Sequence, residues 1–170
     1  MKKSPNDSLV IKSELVLPND TNTLNNLMGG RLMYLMDIVS AISAQRHSGT
    51  TVVTASVDNV SFTHPITIGS VVTLTSKVTR SFNSSMEVHI EVFAENIPKG
   101  KERIKTNEAF FTFVAVDAEN KTVKVPELVP ETDEEKTLFE GALKRRELRL
   151  VLAGRMKPEE AESLKTLFGK

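Results

Sequence analysis

The chain has 170 residues, with 22 Lys plus Arg set against 22 Asp plus Glu, 39% apolar and 26% charged residues. A net charge of zero argues against nucleic acid as a main partner, because phosphate binding leans on a clustered surplus of basic residues; the ordinary composition also argues against disorder and fibres, and the length suits one domain with a real core plus an appendage. Cysteine is absent, which excludes disulfides, thiolate metal sites and a Cys nucleophile, and fits a reducing cytoplasm. The three histidines, His47, His64 and His89, are too scattered in sequence to read as a metal-ligand cluster. Met1 to Pro18 has no long apolar run, so neither a signal peptide nor a membrane span is expected.

Leu9 to Leu17 mixes β-branched and charged residues and reads as a short strand stopped by Pro18. The polar run Pro18 to Asn26 favours turns and a helix N-cap. A helix follows from about Leu27 to His47, with apolar residues (Leu32, Met33, Leu35, Met36, Ile38, Val39, Ala41, Ile42, Ala44) pointing in nearly every direction, the pattern of a buried helix. The strands that could wrap it come next. Thr51 to Phe62 is rich in Val and Thr; Val71 to Arg80 alternates; Met86 to Glu95 alternates with Met86, Val88, Ile90, Val92 and Ala94 on one face; Asn107 to Asp117 brings Phe110, Phe111 and Phe113. The links at Thr63 to Ser70, Ser81 to Ser85 and Ile97 to Lys105 are short, which suggests antiparallel neighbours. Beyond Pro126 and Pro130 the composition changes. Asp133 to Val151 reads as a helix with an acidic start and a basic end, stopped at Gly154, and Pro158 opens a last amphipathic helix through Phe168. The order predicts an α+β fold with one antiparallel sheet curled around a central helix, residues 1–130, followed by a helical extension, residues 131–170.

Asp37 is the most informative residue, because a carboxylate in the middle of an apolar helix needs a partner or a raised pKa. It is either hydrogen-bonded to Tyr34 or Ser40 at helical spacing, or a general base or nucleophile held in an apolar site. The pair Gly29 and Gly30 in the first turn costs about 1 kcal/mol per glycine relative to alanine. It serves either close packing of helix on sheet or the approach of a carbonyl oxygen to the free N–H groups at the helix N-terminus. Asn26 is most simply an N-cap, though its amide could orient a water or a carbonyl. His47 reads as a favourable dipole contact at the helix end, and His64 and His89 as surface residues. Ser-His-Asp, P-loop and dinucleotide motifs are missing from the sequence.

Five stretches in order, Asp20 to Gly30, Leu35-Met36-Asp37, Arg46 to Gly49, Val53 to Asp58 and Ser84 to Val88, resemble the hotdog-fold acyl-CoA thioesterases of the cytosolic acyl-CoA hydrolase group, over about residues 9 to 126. The resemblance implies a homo-oligomer: a double-hotdog dimer with its sheets joined edge to edge, often a trimer of dimers, with acyl-CoA sites at the dimer interface. It implies that Asp37 acts as general base or nucleophile, that Asn26 of the other subunit helps place water or the thioester, and that N–H groups around Gly30 polarise the thioester carbonyl. Thr54 and Ser56 would assist from the neighbouring strand. Gly29 and the turn Arg80 to Ser85, with Arg80, Ser84 and Ser85, would bind substrate and its CoA phosphates, with Arg145, Arg146 or Lys101 as further contributors. The second acidic residue that many relatives carry after the Met-Asp pair is Ile38 here.

The expected activity is hydrolysis of acyl-CoA to a free acid and CoA in the cytoplasm, with no metal or redox cofactor and neither nucleic acid nor membrane as partner. Two rivals remain at this point: a non-catalytic acyl-CoA binding or sensor protein, and a hotdog dehydratase acting on hydroxyacyl thioesters, which would need a catalytic His near the active-site helix.

Overall fold

The computed structural model describes residues 1–58 and 60–168, with the side chains of 166–168 left aside. The chain divides into two compact units, Met1–Val129 and Pro130–Lys170. Among the described residues no helix is long and apolar enough to cross a membrane.

The first unit holds strands β1 (Lys2–Lys3), β2 (Val10–Leu15), β3 (Thr51–Asp58), β4 (Val71–Ser81), β5 (Ser85–Asn96), β6 (Lys101–Val116) and β7 (Glu127–Leu128), and the helix α1 (Gly29–Ser48). Five strands form one antiparallel sheet in the order β2-β4-β5-β6-β3. The two-residue strands β1 and β7 pair in parallel beside it. The α+β arrangement of a sheet around a central helix is as the sequence predicts, since α1 touches every strand of the five.

The helix is seated by a face of alternate residues. Val72, Leu74 and Val78 of β4, Met86, Val88, Ile90 and Val92 of β5, and Ala109, Phe111 and Phe113 of β6 are all at most 1% exposed. Register places them side by side, with Val78 opposite Val88, Val88 opposite Phe111 and Met86 opposite Phe113. Alternation therefore delivers one continuous apolar surface. Leu32, Leu35, Met36, Val39 and Ala44 of α1 are buried, and the Ser76 hydroxyl fastens the helix to β4 by donating to the Val39 carbonyl at 3.1 Å.

The expectation of a helix buried all round is corrected. Tyr34 and Ile42 are exposed in the single chain and Ile38 and Ala41 only half-buried, because a sheet covers one side of a helix, and the apolar residues on its other side are left for another surface. Boundaries shift as well. The strand read as Thr51 to Phe62 ends at Asp58, with Asn59 outside the described residues. The last strand starts at Lys101 rather than Asn107, because Ile97–Lys99 forms a single 3-10 turn closed by Gly100 at φ 62°, so the hairpin is tighter than expected.

At the C-terminus of α1, Gly49 adopts φ 72° and donates its N–H to the Gln45 carbonyl, a left-handed stop. The cation that satisfies the last carbonyls is Lys3 of β1, which donates to Arg46 O at 2.7 Å and His47 O at 2.9 Å. His47 is thus not the charged dipole partner that its position suggested. It is fully buried, with Nε2 2.9 Å from the Pro126 carbonyl oxygen, so Nε2 carries the hydrogen and donates it, while Nδ1 has no partner. Burial pulls its pKa below 6.5, and nearby Lys3 adds to the effect, against the Pro126 bond and Asp7.

The second unit is a helix pair. In α2 (Asp133–Leu152), the Thr132 hydroxyl accepts from Glu135 N and the Glu135 carboxylate accepts from Thr132 N, a reciprocal cap. After Gly154 at φ 67°, a 3-10 turn at Pro158–Glu160 leads to α3 (Glu162–Phe168). The buried Glu147 of α2 takes the N–H groups of Ser163 and Leu164, so a carboxylate completes the first turn of α3.

Two outcomes are expected from this packing. Phe111→Ala should lower the unfolding free energy by about 3–5 kcal/mol in urea titration, the usual cost of emptying a large core site. His47 is held neutral in the fold but protonates freely once unfolded, so its contribution is intact above 6.5 and is lost as pH falls below that value. Thermal melts from pH 8 to 5 should decline more steeply for the native chain than for His47→Gln.

Candidate active site

Asp37 sits two turns into α1 on the side turned toward β3, half-buried. Its partner is neither Tyr34 nor Ser40. The Thr54 hydroxyl donates to Asp37 Oδ1 at 2.8 Å. Tyr34 is exposed and lies under the Arg31 guanidinium, 5.1 Å from the ring centroid, while Ser40 is buried with its hydroxyl unpartnered. Among the described residues no other donor reaches the Asp37 carboxylate, so its second oxygen can accept a proton from a bound molecule.

Thr54 reaches Asp37 because β3 is irregular there. Register jumps between Thr54, opposite Phe113, and Ser56, opposite Thr112, so Ala55 is a bulge residue. A bulge re-aims neighbouring side chains and recurs next to functional sites. The Ser56 hydroxyl is buried and unpartnered, across from the equally unpartnered Thr112 hydroxyl. Ser56 therefore faces away from α1, on the other side of the sheet from Thr54.

The start of α1 differs from the sequence reading. The N-cap is Met28, and no side chain caps the helix. Asn26 instead lies in a tight loop, where the Asn22 side-chain oxygen accepts from Leu24 N and Asn26 N and the Asn22 N–H donates to Asn26 O. Asn25 takes φ 57° to let the chain turn. The first N–H groups of the helix are thus left without a side-chain cap. A Cβ on Gly29 would meet the Phe62 ring at 3.4 Å, whereas a Cβ on Gly30 would meet nothing within 4 Å. Packing accounts for Gly29, which lines a cavity, but not for Gly30, which is exposed.

That cavity, about 280 Å³, is lined by Asn22, Asn26, Gly29, Leu32, Phe62 and Asn107, among others. Asn22 and Asn107 are the lining residues that sequence reasoning missed. Asn22 carried a signal, an Asx turn that starts three residues before the loop's left-handed residue; Asn107 carried none, since a strand Asn shows its role only through what it faces. His64 also lines this cavity, its Nδ1 3.0 Å from the Thr63 hydroxyl.

Arg80, Ser84 and Ser85 lie elsewhere on the sheet. Thr54, Phe113, Met86 and Ser81 form one row across β3, β6, β5 and β4, so the turn lies about 14 Å from Thr54 at the usual strand spacing. Arg80 stacks over Phe82 at 5.7 Å, and burial lowers its pKa against the pull of Glu87. One chain therefore joins Asp37 to Thr54 and Asn26 to Gly29, but does not gather these pairs and the Arg80 turn around one point.

Two histidine readings change. His89 is buried and stacked on Phe110, with ring centroids 4.7 Å apart, rather than on the surface. It joins Glu91 and Glu108, whose ligand atoms lie within 4.8 Å of one another and could hold a cation. Lys105 already serves there: although burial opposes it, hydrogen bonds to Glu108 and Glu91 raise its pKa. His47, packed in the core against Pro126, is too remote from a substrate to be a dehydratase histidine.

The family model described as "Thioesterase superfamily" matches residues 24–101. An acyl-CoA thioester hydrolase of Bacillus subtilis, described as uncharacterized, is 44% identical over 139 residues, 82% of this chain and 80% of its own. Mouse acyl-coenzyme A thioesterase 11 is 43% identical over 152 residues, 89% of this chain, yet the chain spans only 25% of its length. Among solved structures, an acyl-CoA hydrolase from Staphylococcus aureus in complex with butyryl-coenzyme A, coenzyme A and coenzyme A disulfide superposes with a TM-score of 0.84 at 33% identity, covering 99% of this chain and 100% of that one. Alanine variants of that hydrolase replace an aspartate, a threonine seventeen residues after it and an asparagine fifteen residues before it. A hexameric acyl-CoA thioesterase superposes with a TM-score of 0.86 at 39% identity, covering 89% and 97%. With a carboxylate on the central helix paired to a hydroxyl on β3 and an uncapped glycine N-terminus beside a cavity, this chain belongs to the thioesterase superfamily, in its hotdog acyl-CoA thioesterase group.

Proposed function

We propose that the chain hydrolyses acyl-CoA thioesters to a free acid and CoA. The observation that carries this reading is the Asp37 carboxylate held by the Thr54 hydroxyl at 2.8 Å, with its second oxygen open to a bound molecule. Asp37 takes a proton from water as that water attacks the thioester carbon, or attacks the carbon itself to give an anhydride that water then opens. In either course the C–S bond breaks and the CoA sulfur leaves as thiolate. The uncapped N–H groups at Gly29 and Gly30 stabilise the oxyanion that develops on the carbonyl. The reaction so written draws on water and the chain's own groups.

Counting the Staphylococcus aureus intervals from Asp37 leads to Thr54, seventeen residues on, and back to Asn22, fifteen residues before. Asn22 therefore joins Asn26 as a residue placing water or the thioester, and its spare amide N–H groups suit it to an oxygen acceptor.

Gly30 and Asp37 are seven residues apart on one helix, about 10 Å along its axis. A thioester carbon cannot sit within hydrogen-bond reach of both in a single chain. Joining two chains, so that Asp37 and Thr54 of one face Asn22, Asn26 and Gly30 of the other, resolves the mismatch. The half-buried Ile38 and Ala41 and the exposed Ile42 next to Asp37 are apolar surface suited to that contact. The hexameric relative supports a homo-oligomer built from such dimers. In that assembly the Arg80 to Ser85 turn, with Arg80, Ser84 and Ser85, can receive CoA phosphates from a neighbouring site, with Lys101 a further cation. A chain without cysteine suits the reducing cytoplasm as its compartment.

Release of free thiol from acyl-CoAs of two to sixteen carbons is the test. Turnover should fall about 10²- to 10⁴-fold in Asp37→Ala, the usual worth of a positioned acid–base group. It should fall less in Thr54→Ala, with oligomer size unchanged by light scattering in both. Tight CoA binding with no thiol release from any substrate would replace the hydrolase reading with a binding protein.

A further inference from the structure

Tyr34 is 54% exposed, the most exposed of the large apolar side chains of α1. It is nevertheless held in place. The Arg31 guanidinium lies 5.1 Å from its ring centroid, and that guanidinium is itself fixed, donating from Nε to Asp20 at 2.9 Å and pairing with Glu14 at 3.5 Å. A tethered cation thus backs the ring, while more than half of the residue stays open. Tyr34 comes four residues after Gly30 and three before Asp37, so the three fall on one stripe of the helix, with Tyr34 about 6 Å along the axis from the first and about 4.5 Å from the second. Whichever end of that stripe meets the reacting carbonyl, the ring is about one turn away. Helical side chains lean toward the N-terminus, so the ring covers the turn that starts at Gly30, where a Cβ would meet nothing within 4 Å. Open space for a carbonyl is therefore bordered by an anchored aromatic wall.

We propose that Tyr34 is a specificity-determining residue whose ring packs on the first carbons of the acyl chain, so that longer straight acyl groups are better substrates than acetyl. The inference rests on the hydrolase reading above. The adenine and phosphates of CoA lie the full length of the pantetheine arm from the carbonyl, out of reach of a ring so close to it. The arm itself carries two amides that need polar partners. On this face of α1 the neighbours of Tyr34 are the half-buried Ile38 and Ala41, which offer none, and Arg31, which is engaged by Asp20 and Glu14. A hydrocarbon chain gains by covering such a surface. The phenol hydroxyl suits an exposed ring, because it keeps the tip hydrated while the site is empty.

The experiment has two arms. Tyr34 is the only tyrosine and the chain has no tryptophan, so tyrosine emission reports this ring alone and needs no variant. S-hexyl-pantetheine, a thioether that cannot be hydrolysed and carries no adenine to absorb the exciting light, should change that emission at concentrations where calorimetry shows it bound. Pantetheine without the hexyl group should leave it as it was. An equal change with both ligands would put the arm on the ring and overturn the proposal, as would no change with the bound thioether. In the second arm, the ratio of kcat/KM for hexanoyl-CoA to that for acetyl-CoA should exceed one, fall about tenfold in Tyr34→Ala and return in Tyr34→Phe, the worth of an aromatic contact with a few methylenes. An unchanged ratio, or an equal loss on both substrates, would overturn it. If neither substrate is turned over, the hydrolase reading fails separately. The same ratio is then read from calorimetric affinities for the two thioesters, where a ratio unmoved by Tyr34→Ala overturns the proposal.

Discussion

Everything in the first unit depends on laying one face of a twenty-residue helix onto one face of a five-stranded sheet. The contact is apolar along β4, β5 and β6, where alternation supplies apolar side chains at every second position. It fixes the roll of α1 about its own axis. Met36 and Val39, fully buried, must point at the sheet, and Asp37, one position along, is thereby turned toward the edge strand β3. The Asp37–Thr54 pair is a by-product of core packing: the helix cannot rotate to present Asp37 elsewhere without exposing Met36.

Much of this was legible in the sequence. The alternation in Met86 to Glu95 and the apolar helix before it gave the layers, and the carboxylate at Asp37 stood out as the candidate, because a charge amid apolar helix neighbours needs a partner, though Tyr34 and Ser40 stood as local alternatives until the fold supplied Thr54. What was hidden depended on residues distant in the chain. Thr54 meets Asp37 only because of the bulge at Ala55, and nothing in Val53-Thr54-Ala55-Ser56 announces an extra residue. Lys3 reaches the carbonyls of Arg46 and His47 from forty-odd residues away, so local helix-end rules assigned that task to the nearer histidine. Glu87 and His89 followed the polar half of a perfect alternation and yet are 2% and 8% exposed; their partners Thr79 and Phe110 lie on other strands. Alternation tells which side of a sheet a residue is on, not whether that side is wet.

Electrostatics in the site region is economical. Full charges are neutralised locally: Lys105 by Glu91 and Glu108, and Arg31, beside Gly30, by Asp20 and Glu14. Around Asp37 and the N-terminus of α1 the partners are instead hydroxyls, amides and backbone N–H groups. Dipoles of this kind hold a developing oxyanion in place without meeting it with a full counter-charge, which is how preorganised sites gain most over water.

The pairing of β1 with β7 has an architectural consequence. Lys2 stands beside Glu127 and Lys3 beside Leu128, so the first unit starts and finishes on neighbouring strands. A module whose ends meet can be strung with others, or set into a longer polypeptide, without threading a connection across its own sheet or burying a junction. The same constraint that anchors Lys3 against the helix thus makes the unit a portable building block. It offers a structural reason why a chain of this design can match a quarter of the length of a relative as long as the mouse acyl-coenzyme A thioesterase 11.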